Sequence, residues 1–327
     1  MKKGKLLTLL PLMAMVLTGC QLNNKSSFSF DENKVFNIGV CQIVAHPALD
    51  KATEGFKKAV EDGLGKDKVV FDVQEAAGEP ATCATICNSF VSKKVDLIMA
   101  NATPALQAAA NSTFDIPILG TSVTEYGVAL SIENFNGTVG GNISGTSDLA
   151  PLDKQADMIK EFVPNAKNVG LLFCSAEANS LYQVDTVESC LKAQNINTKR
   201  ISFSESNELQ SVLAGNISGL DALYIPTDNV CAQNTSIIDA ICRPAKLPVI
   251  CGEESLCAGC GVATLSIDYF ALGVKTGEMA LEILKEGKDI STMPIGYDTN
   301  PTKKFNKAIC QELNITVPDG YVEIVVE

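Results

Sequence analysis

The sequence predicts an α/β protein of two doubly wound parallel-sheet lobes joined by a hinge. Three observations predict it. Short Val/Ile/Leu-rich runs of strand length alternate with segments of helical periodicity, the pattern of parallel strands covered on both faces. The alternation comes in two blocks, about residues 35–140 and 150–260, in a chain of 327 residues, longer than one hydrophobic core usually spans. Between the blocks lies Asn134–Asp148, rich in Gly, Asn, Ser and Thr, a composition suited to a hinge.

The elements follow in order. Val35–Val44 is an apolar strand, and Pro47–Leu64 places Leu49, Ala52, Phe56, Ala59 and Val60 at helical spacing before Gly63 and Gly65. Val69–Val73 is a strand, Pro80–Ser92 a helix and Val95–Ala100 a buried strand. Thr103 and Pro104 open an Ala-rich helix, with the proline in the first turn, where its missing N–H has no intrahelical partner to lose. Ile116–Thr121 is the next buried strand. The second block reads as helix Lys154–Phe162, strand Val169–Phe173, helix Ser180–Gln194, strand Thr198–Phe203, helix Glu208–Leu213, strand Ala222–Pro226, helix Ile237–Arg243 and strand Pro248–Gly252. Right-handed crossovers wind such units into open sheets. Beyond Val262 come an amphipathic helix, Asp268–Lys285, an extended crossing at Met293–Tyr297, a last helix, Thr302–Leu313, and a last strand, Tyr321–Val326. This C-terminal part serves both lobes. The expected division is lobe 1 at 34–143 plus about 265–290, and lobe 2 at 144–264 plus about 291–327.

The N-terminus carries an export signal. Met1–Lys5 is basic, and Leu6–Leu17 is apolar but too short to span a bilayer. Leu17-Thr18-Gly19-Cys20 resembles the bacterial lipobox, which implies cleavage before Cys20 and lipidation of its sulfur. Two acyl chains suffice for stable anchoring. Gln21–Asn33 is a polar tether. The protein is therefore expected outside the cytoplasm, lipid-anchored to the cell membrane.

Composition excludes several function classes. The net charge is −12, which repels phosphate backbones and argues against nucleic acid as a partner. No GxGxxG follows the first strand, and no P-loop lysine is present. The single histidine, His46, precedes Pro47 at a helix start, where a loop or capping role is expected. A Ser or Cys nucleophile would need it as base, and nothing singles out a partner. An enzyme is not expected. Of twelve cysteines, setting Cys20 aside leaves an odd number, so at least one thiol is unpaired. Cys41, Cys174 and Cys251 sit in apolar strands as small hydrophobes. So many thiols in an exported chain point to a reducing exterior. Cys83–Cys87 and Cys257–Cys260 have spacings that permit a disulfide, and the set with Cys251 would permit zinc, but no histidine accompanies it. No metal or cofactor is expected.

In doubly wound sheets ligands bind at the carboxyl ends of strands. Here the strand-end loops combine small hydroxyl and amide residues with a following helix start: Gln42–Leu49, Asn101–Leu106, Thr121–Gly127, the loop after Cys174, Thr227–Asn229 and Glu253–Ser255. The helix start at Thr103 and Pro104 suits a carboxylate, and equally a plain cap. Asp228 and Glu253 suit an ammonium, and equally a solvated loop.

QIVAHPALDKATEGFKKAVEDGL, DLIMANATPALQAAA, SVTEYG, GNISGTSD, NVGLLFCSAEANS, ALYIPTDN, PVICGEE and GVATLSIDYFALGVKTGEMALEILKEG, in this order and spacing, resemble the tryptophan/tyrosine (TrpX-like) family of ABC transporter substrate-binding proteins. The resemblance covers about Phe36 to Val317. It implies a type I periplasmic-binding-protein fold with three hinge crossings. It also implies capture of an aromatic amino acid by lobe closure, and delivery to an ABC permease and its ATPase. It places the ligand on Gln42, Thr103, Pro104, Ser122, Asn179, Ser180, Thr227, Asp228 and Glu253, with the carboxylate at Thr103, the ammonium at Asp228 or else Glu253, and Tyr126 as the cleft aromatic. Two other readings use the same clamp: a binder of another amino acid, a sugar or a nucleoside, and a ligand sensor. The lack of Trp weakens the sugar version.

Overall fold

The computed structural model describes residues 28–298 and 300–325, so the lipobox with Cys20 lies outside the described residues. Lobe 1 opens with β1 (Phe36–Gln42), α1 (Pro47–Leu64), β2 (Val69–Glu75), α2 (Pro80–Lys93), β3 (Leu97–Asn101), α3 (Thr103–Ser112), β4 (Ile118–Val123), α4 (Tyr126–Ala129) and β5 (Ile143–Ser147). Lobe 2 follows with α5 (Leu152–Phe162), β6 (Asn168–Cys174), α6 (Ala178–Ala193), β7 (Asn197–Phe203), α7 (Leu209–Asn216), β8 (Ala222–Ile225), α8 (Asn229–Gln233), α9 (Thr235–Cys242), β9 (Val249–Cys251), α10 (Glu254–Cys260) and β10 (Ala263–Ser266). The chain returns to lobe 1 for α11 (Tyr269–Leu284) and β11 (Gly296–Tyr297). It ends in lobe 2 with β12 (Thr302–Phe305), α12 (Lys307–Glu312) and β13 (Val322–Glu323).

Among the described residues, the lobe 1 sheet runs β11-β5-β4-β3-β1-β2 and the lobe 2 sheet β13-β12-β10-β9-β8-β6-β7. Every pairing is parallel except that of β10 with β12. Both sheets are covered on both faces, so the central strands β3, β4, β8 and β9 are buried along their whole length. In lobe 1, Cys41, Ile98 and Ile118 face Phe90 and Leu106, while Ile38, Leu97 and Met99 face Phe56, Val60 and Ala280. In lobe 2, Leu171, Tyr224 and Ile250 pack towards Ile159 and Val187, and Leu172, Leu223 and Val249 towards Leu213 and Ile238.

The chain passes between the lobes at three places, between β5 and α5, between β10 and α11, and between β11 and β12. The hinge expected at Asn134–Asp148 is displaced. Residues 143–147 form β5, hydrogen-bonded to β4 inside lobe 1. Their small residues serve close packing: Gly145 has φ +144°, and a Cβ there would lie 2.0 Å from the Gly120 carbonyl oxygen. Met293–Tyr297 is likewise not a crossing, since β11 pairs with β5 and Ser144 Oγ donates to the Met293 carbonyl at 2.9 Å. Residues 144–147 and 291–297 thus join lobe 1. The helix expected from Thr302 begins instead at Lys307, because residues 302–305 pair antiparallel to β10 and Asn306 Oδ1 caps the helix by accepting from Ile309 N–H.

Helix α11 binds the C-terminal third to lobe 1 by lying against α1. Gly273 makes this approach possible: a Cβ there would stand 2.0 Å from the Ala52 carbonyl oxygen. Gly273→Ala is therefore expected to force the helices apart and to cost about 1–3 kcal/mol of stability. Urea unfolding of the variant checks this, with an unchanged midpoint as the contrary result.

Candidate functional site

The carboxyl ends of the strands of both lobes face one another around a small cavity of about 20 Å³. Lobe 1 contributes His46 and Leu49 from the start of α1, and Ser122 and Thr124 from the end of β4. The crossings contribute Asp148 and Tyr269. Lobe 2 contributes Asn179 from the start of α6, Thr227, Asp228, Asn229 and Ala232 after β8, and Glu253 after β9. His46, Ser122, Thr124, Asp148, Asn179, Asp228, Glu253 and Tyr269 are all buried. The lobes meet across the cavity: His46 Nε2 lies 3.4 Å from Asn229 Oδ1, and Thr124 Oγ1 lies 3.5 Å from Thr227 Oγ1. The arrangement is closed.

Asp228 and Glu253 are spoken for. Asp228 caps α8, its Oδ1 accepting from Cys231 N–H at 2.8 Å and its Oδ2 from Cys174 N–H at 2.7 Å. Glu253 caps α10, accepting from Ser255 N–H, Ser255 Oγ and Leu256 N–H. Asp148 differs. Its Oδ2 accepts from Tyr269 OH at 2.9 Å, and its Oδ1 has no hydrogen-bond partner. Burial, with a smaller push from the Glu253 carboxylate, raises Asp148 to about 6, while the Tyr269 and Thr124 hydroxyls oppose. Ser122 sits where the β4–β5 register shifts, at φ +53°, a left-handed conformation that serine adopts only when its surroundings impose it.

Among the described residues, seven buried side-chain polar atoms lack a hydrogen-bond partner. Four of them line this cavity: His46 Nδ1, Ser122 Oγ, Asp148 Oδ1 and Asn179 Oδ1. Buried polar atoms are nearly always paired, because leaving one unpaired costs about 1–3 kcal/mol. Their concentration around one cavity, from both lobes, marks a surface built to receive a polar molecule. Leu49 and Ala232 add an apolar portion.

Of the residues expected from the sequence, Ser122, Asn179, Thr227, Asp228 and Glu253 come together here. Gln42, Thr103, Pro104 and Ser180 do not. Gln42 turns into lobe 1, where its Nε2 donates to Asp50 Oδ1 at 2.7 Å and its Oε1 accepts from Thr53 Oγ1 at 2.7 Å. Thr103 is buried at the start of α3. Pro104 lines a separate inter-lobe cavity with Glu79 and Glu177. Ser180 is fully buried in the first turn of α6. Tyr126 is not the cleft aromatic: it lies inside lobe 1 over Gly120 and Gly145 and donates to the Thr146 carbonyl at 3.1 Å. Sequence reasoning named the loops that hold Leu49, Thr124 and Asn229 without singling those residues out, missed Asp148, Ala232 and Tyr269, and gave His46 a loop or capping role. Asp148 could have been found as the one carboxylate at the end of the glycine-rich stretch.

The sequence matches, over residues 37–325, the family described as ABC transporter substrate binding protein. It is 39% identical over 307 residues to a tyrosine-binding protein of Clostridioides difficile, covering 90% of this chain and 88% of that one. It superposes with a TM-score of 0.85 on a Streptococcus pneumoniae ABC domain in complex with L-Trp, 29% identical, covering 89% of this chain and 100% of that one. For the ligand-free, open structure of a substrate-binding protein with adhesive properties from Clostridium difficile, the TM-score is 0.67 at 36% identity, covering 88% and 99%. The better superposition falls on the complex although the sequence is nearer to the open protein, as expected for two lobes in a closed relation.

Glu177 is buried beside Asp228, and its burial, together with that carboxylate, pushes it up to about 8, against hydrogen bonds from Asn179 and Asn229. Unfolded, it would titrate near 4.3. Between these values the folded state holds a proton that the unfolded state has lost, so stability falls as pH rises from about 4 to about 8. Glu177→Gln, which keeps the neutral shape, is expected to flatten this decline and to raise the melting temperature at pH 8. Thermal unfolding across that range measures it, and parallel curves for the two proteins would contradict it.

Proposed function

The chain belongs to the ABC transporter substrate-binding protein family, and from that premise we propose that it closes its two lobes on a single aromatic amino acid and delivers it to a permease. One observation carries the reading: four unpartnered buried polar atoms surround one inter-lobe cavity that also holds an apolar portion. The ligand's ammonium pairs with Asp148 Oδ1, the one unpartnered carboxylate oxygen on the wall, assisted by Asn179 Oδ1. A cation there would hold Asp148 ionised despite its burial. The carboxylate takes the hydroxyls of Ser122, Thr124 and Thr227, and the ring lies against Leu49 and Ala232. The names of the similar proteins, a tyrosine-binding protein and an L-Trp complex, support the ligand class. Closure is stabilised only by the difference in the ligand's affinity for the closed and open states. The export signal and Cys20 add lipid anchoring outside the cytoplasm, with a permease and ATPase as partners.

Two measurements test this. L-Tyr or L-Trp should raise the melting temperature, since a ligand that binds only the folded state stabilises it by mass action. Asp148→Asn should weaken that binding by about tenfold to a hundredfold, the loss of one charge-assisted hydrogen bond. Ser122→Ala should weaken it less, with two hydroxyls left for the carboxylate. Calorimetry giving equal affinity for Asp148→Asn and the parent would remove Asp148 from the ammonium site.

A further inference from the structure

His46 is the only histidine in the chain, and its ring forms part of the cavity wall. Its Nε2 faces Asn229 Oδ1 across the lobe boundary at 3.4 Å. That amide is oriented from its other side, because Asn229 Nδ2 donates to Glu177 Oε2 at 2.8 Å and Asn229 N–H donates to the same oxygen at 3.1 Å. An amide whose nitrogen is committed to a carboxyl oxygen presents its own oxygen to the ring, so the ring donates from Nε2. In the neutral imidazole this leaves Nδ1 a bare acceptor, buried and without a partner.

Two parts of the lining differ in chemistry. In one, Asp148 and Tyr269 are joined by their hydrogen bond. In the other, Leu49 of the first turn of α1, which His46 precedes, and Ala232 of α8, three residues after Asn229, line the cavity together with His46 and Asn229. His46 Nδ1 is thus an unanswered acceptor in a lining shared with the apolar Leu49 and Ala232, where the amino-acid reading puts the ligand's side chain. Asn179 Oδ1 is likewise an acceptor, its Nδ2 being donated to Glu177 Oε2, Ser180 Oγ and the Thr227 carbonyl. An ammonium at Asp148 answers the acceptors of the first part only.

We propose that His46 determines specificity: its Nδ1 accepts a hydrogen bond from the side chain of the bound amino acid, so the site selects a phenol O–H or an indole N–H over the plain ring of phenylalanine. The proposal rests on the amino-acid reading given above. A site built to pair a ligand donor rejects an analogue lacking it, because its own buried acceptor is then left unpaired.

The test is calorimetric titration of the full chain at pH 8, where an ordinary imidazole is neutral, with L-Tyr, L-Trp and L-Phe. L-Phe is expected to bind at least about tenfold more weakly than the better of the other two. In His46→Leu the three should fall within about threefold of one another. The lone histidine permits a second readout on the unaltered protein: with ¹⁵N-labelled histidine, the Nδ1 resonance should lie in the unprotonated range and move towards the hydrogen-bonded range on adding L-Tyr or L-Trp. Equal affinities for the three ligands in the parent protein, or an Nδ1 resonance unmoved by binding, overturn the role of His46 and leave the amino-acid reading intact. Discrimination retained in His46→Leu also overturns it. Failure of all three ligands to bind overturns the aromatic reading itself and this inference with it.

Discussion

The hydrogen bond from Tyr269 to Asp148 is the interaction on which the site depends. It joins two of the three crossings, one leaving β5 and one entering α11, so the lobes are tied at the point where the chain passes between them. It also divides the Asp148 carboxylate into one oxygen that is fixed and one that is free. Burial alone would make this carboxyl a poor anion; the tyrosine hydroxyl moderates the penalty and orients the group. A cation on the free oxygen would complete what the protein leaves half done.

The other acidic groups near the cavity are managed differently. Asp228 and Glu253 spend their oxygens on backbone N–H groups at helix starts, which satisfies them without a cation. Glu177 accepts one backbone N–H, that of Asn229, but burial and the neighbouring Asp228 push it up to about 8. Through Asn229 it also orients the amide that faces His46. One buried carboxyl thus fixes, at second hand, which ring nitrogen of His46 donates and which is left an unpartnered acceptor.

The cysteines show how the same residue type serves a packing role. All eleven in the described residues are free thiols, and all but Cys190 are buried. Cys41 on β1 packs with Cys83 and Cys87 of α2, and Cys251 on β9 with Cys257 and Cys260 of α10. Burial pushes Cys174, Cys242 and Cys310 up to about 12, far from the thiolate that reacts. They act as small hydrophobes at the sheet–helix contacts of both lobes.

The sequence by itself determined the fold class. Apolar strands such as Leu97–Asn101 and Ile118–Val123 can be buried on both faces only in covered parallel sheets, and the alternation with amphipathic helices such as α1 is local information. It also supplied those strand-end residues whose position follows from the element before them, Ser122, Asn179, Thr227, Asp228 and Glu253. Tertiary structure decided the rest. Whether Gly145 belongs to a hinge or to a tightly packed strand depends on Gly120, which lies opposite it on the neighbouring strand. Whether a polar strand-end residue turns outward, as Asn179 does, or inward, as Gln42 does, depends on partners such as Thr53 that arrive from another element. Asp148, Tyr269 and His46 meet only when three separate stretches of chain converge between the lobes. No local pattern encodes that meeting, because its hydrogen bonds join residues more than a hundred positions apart.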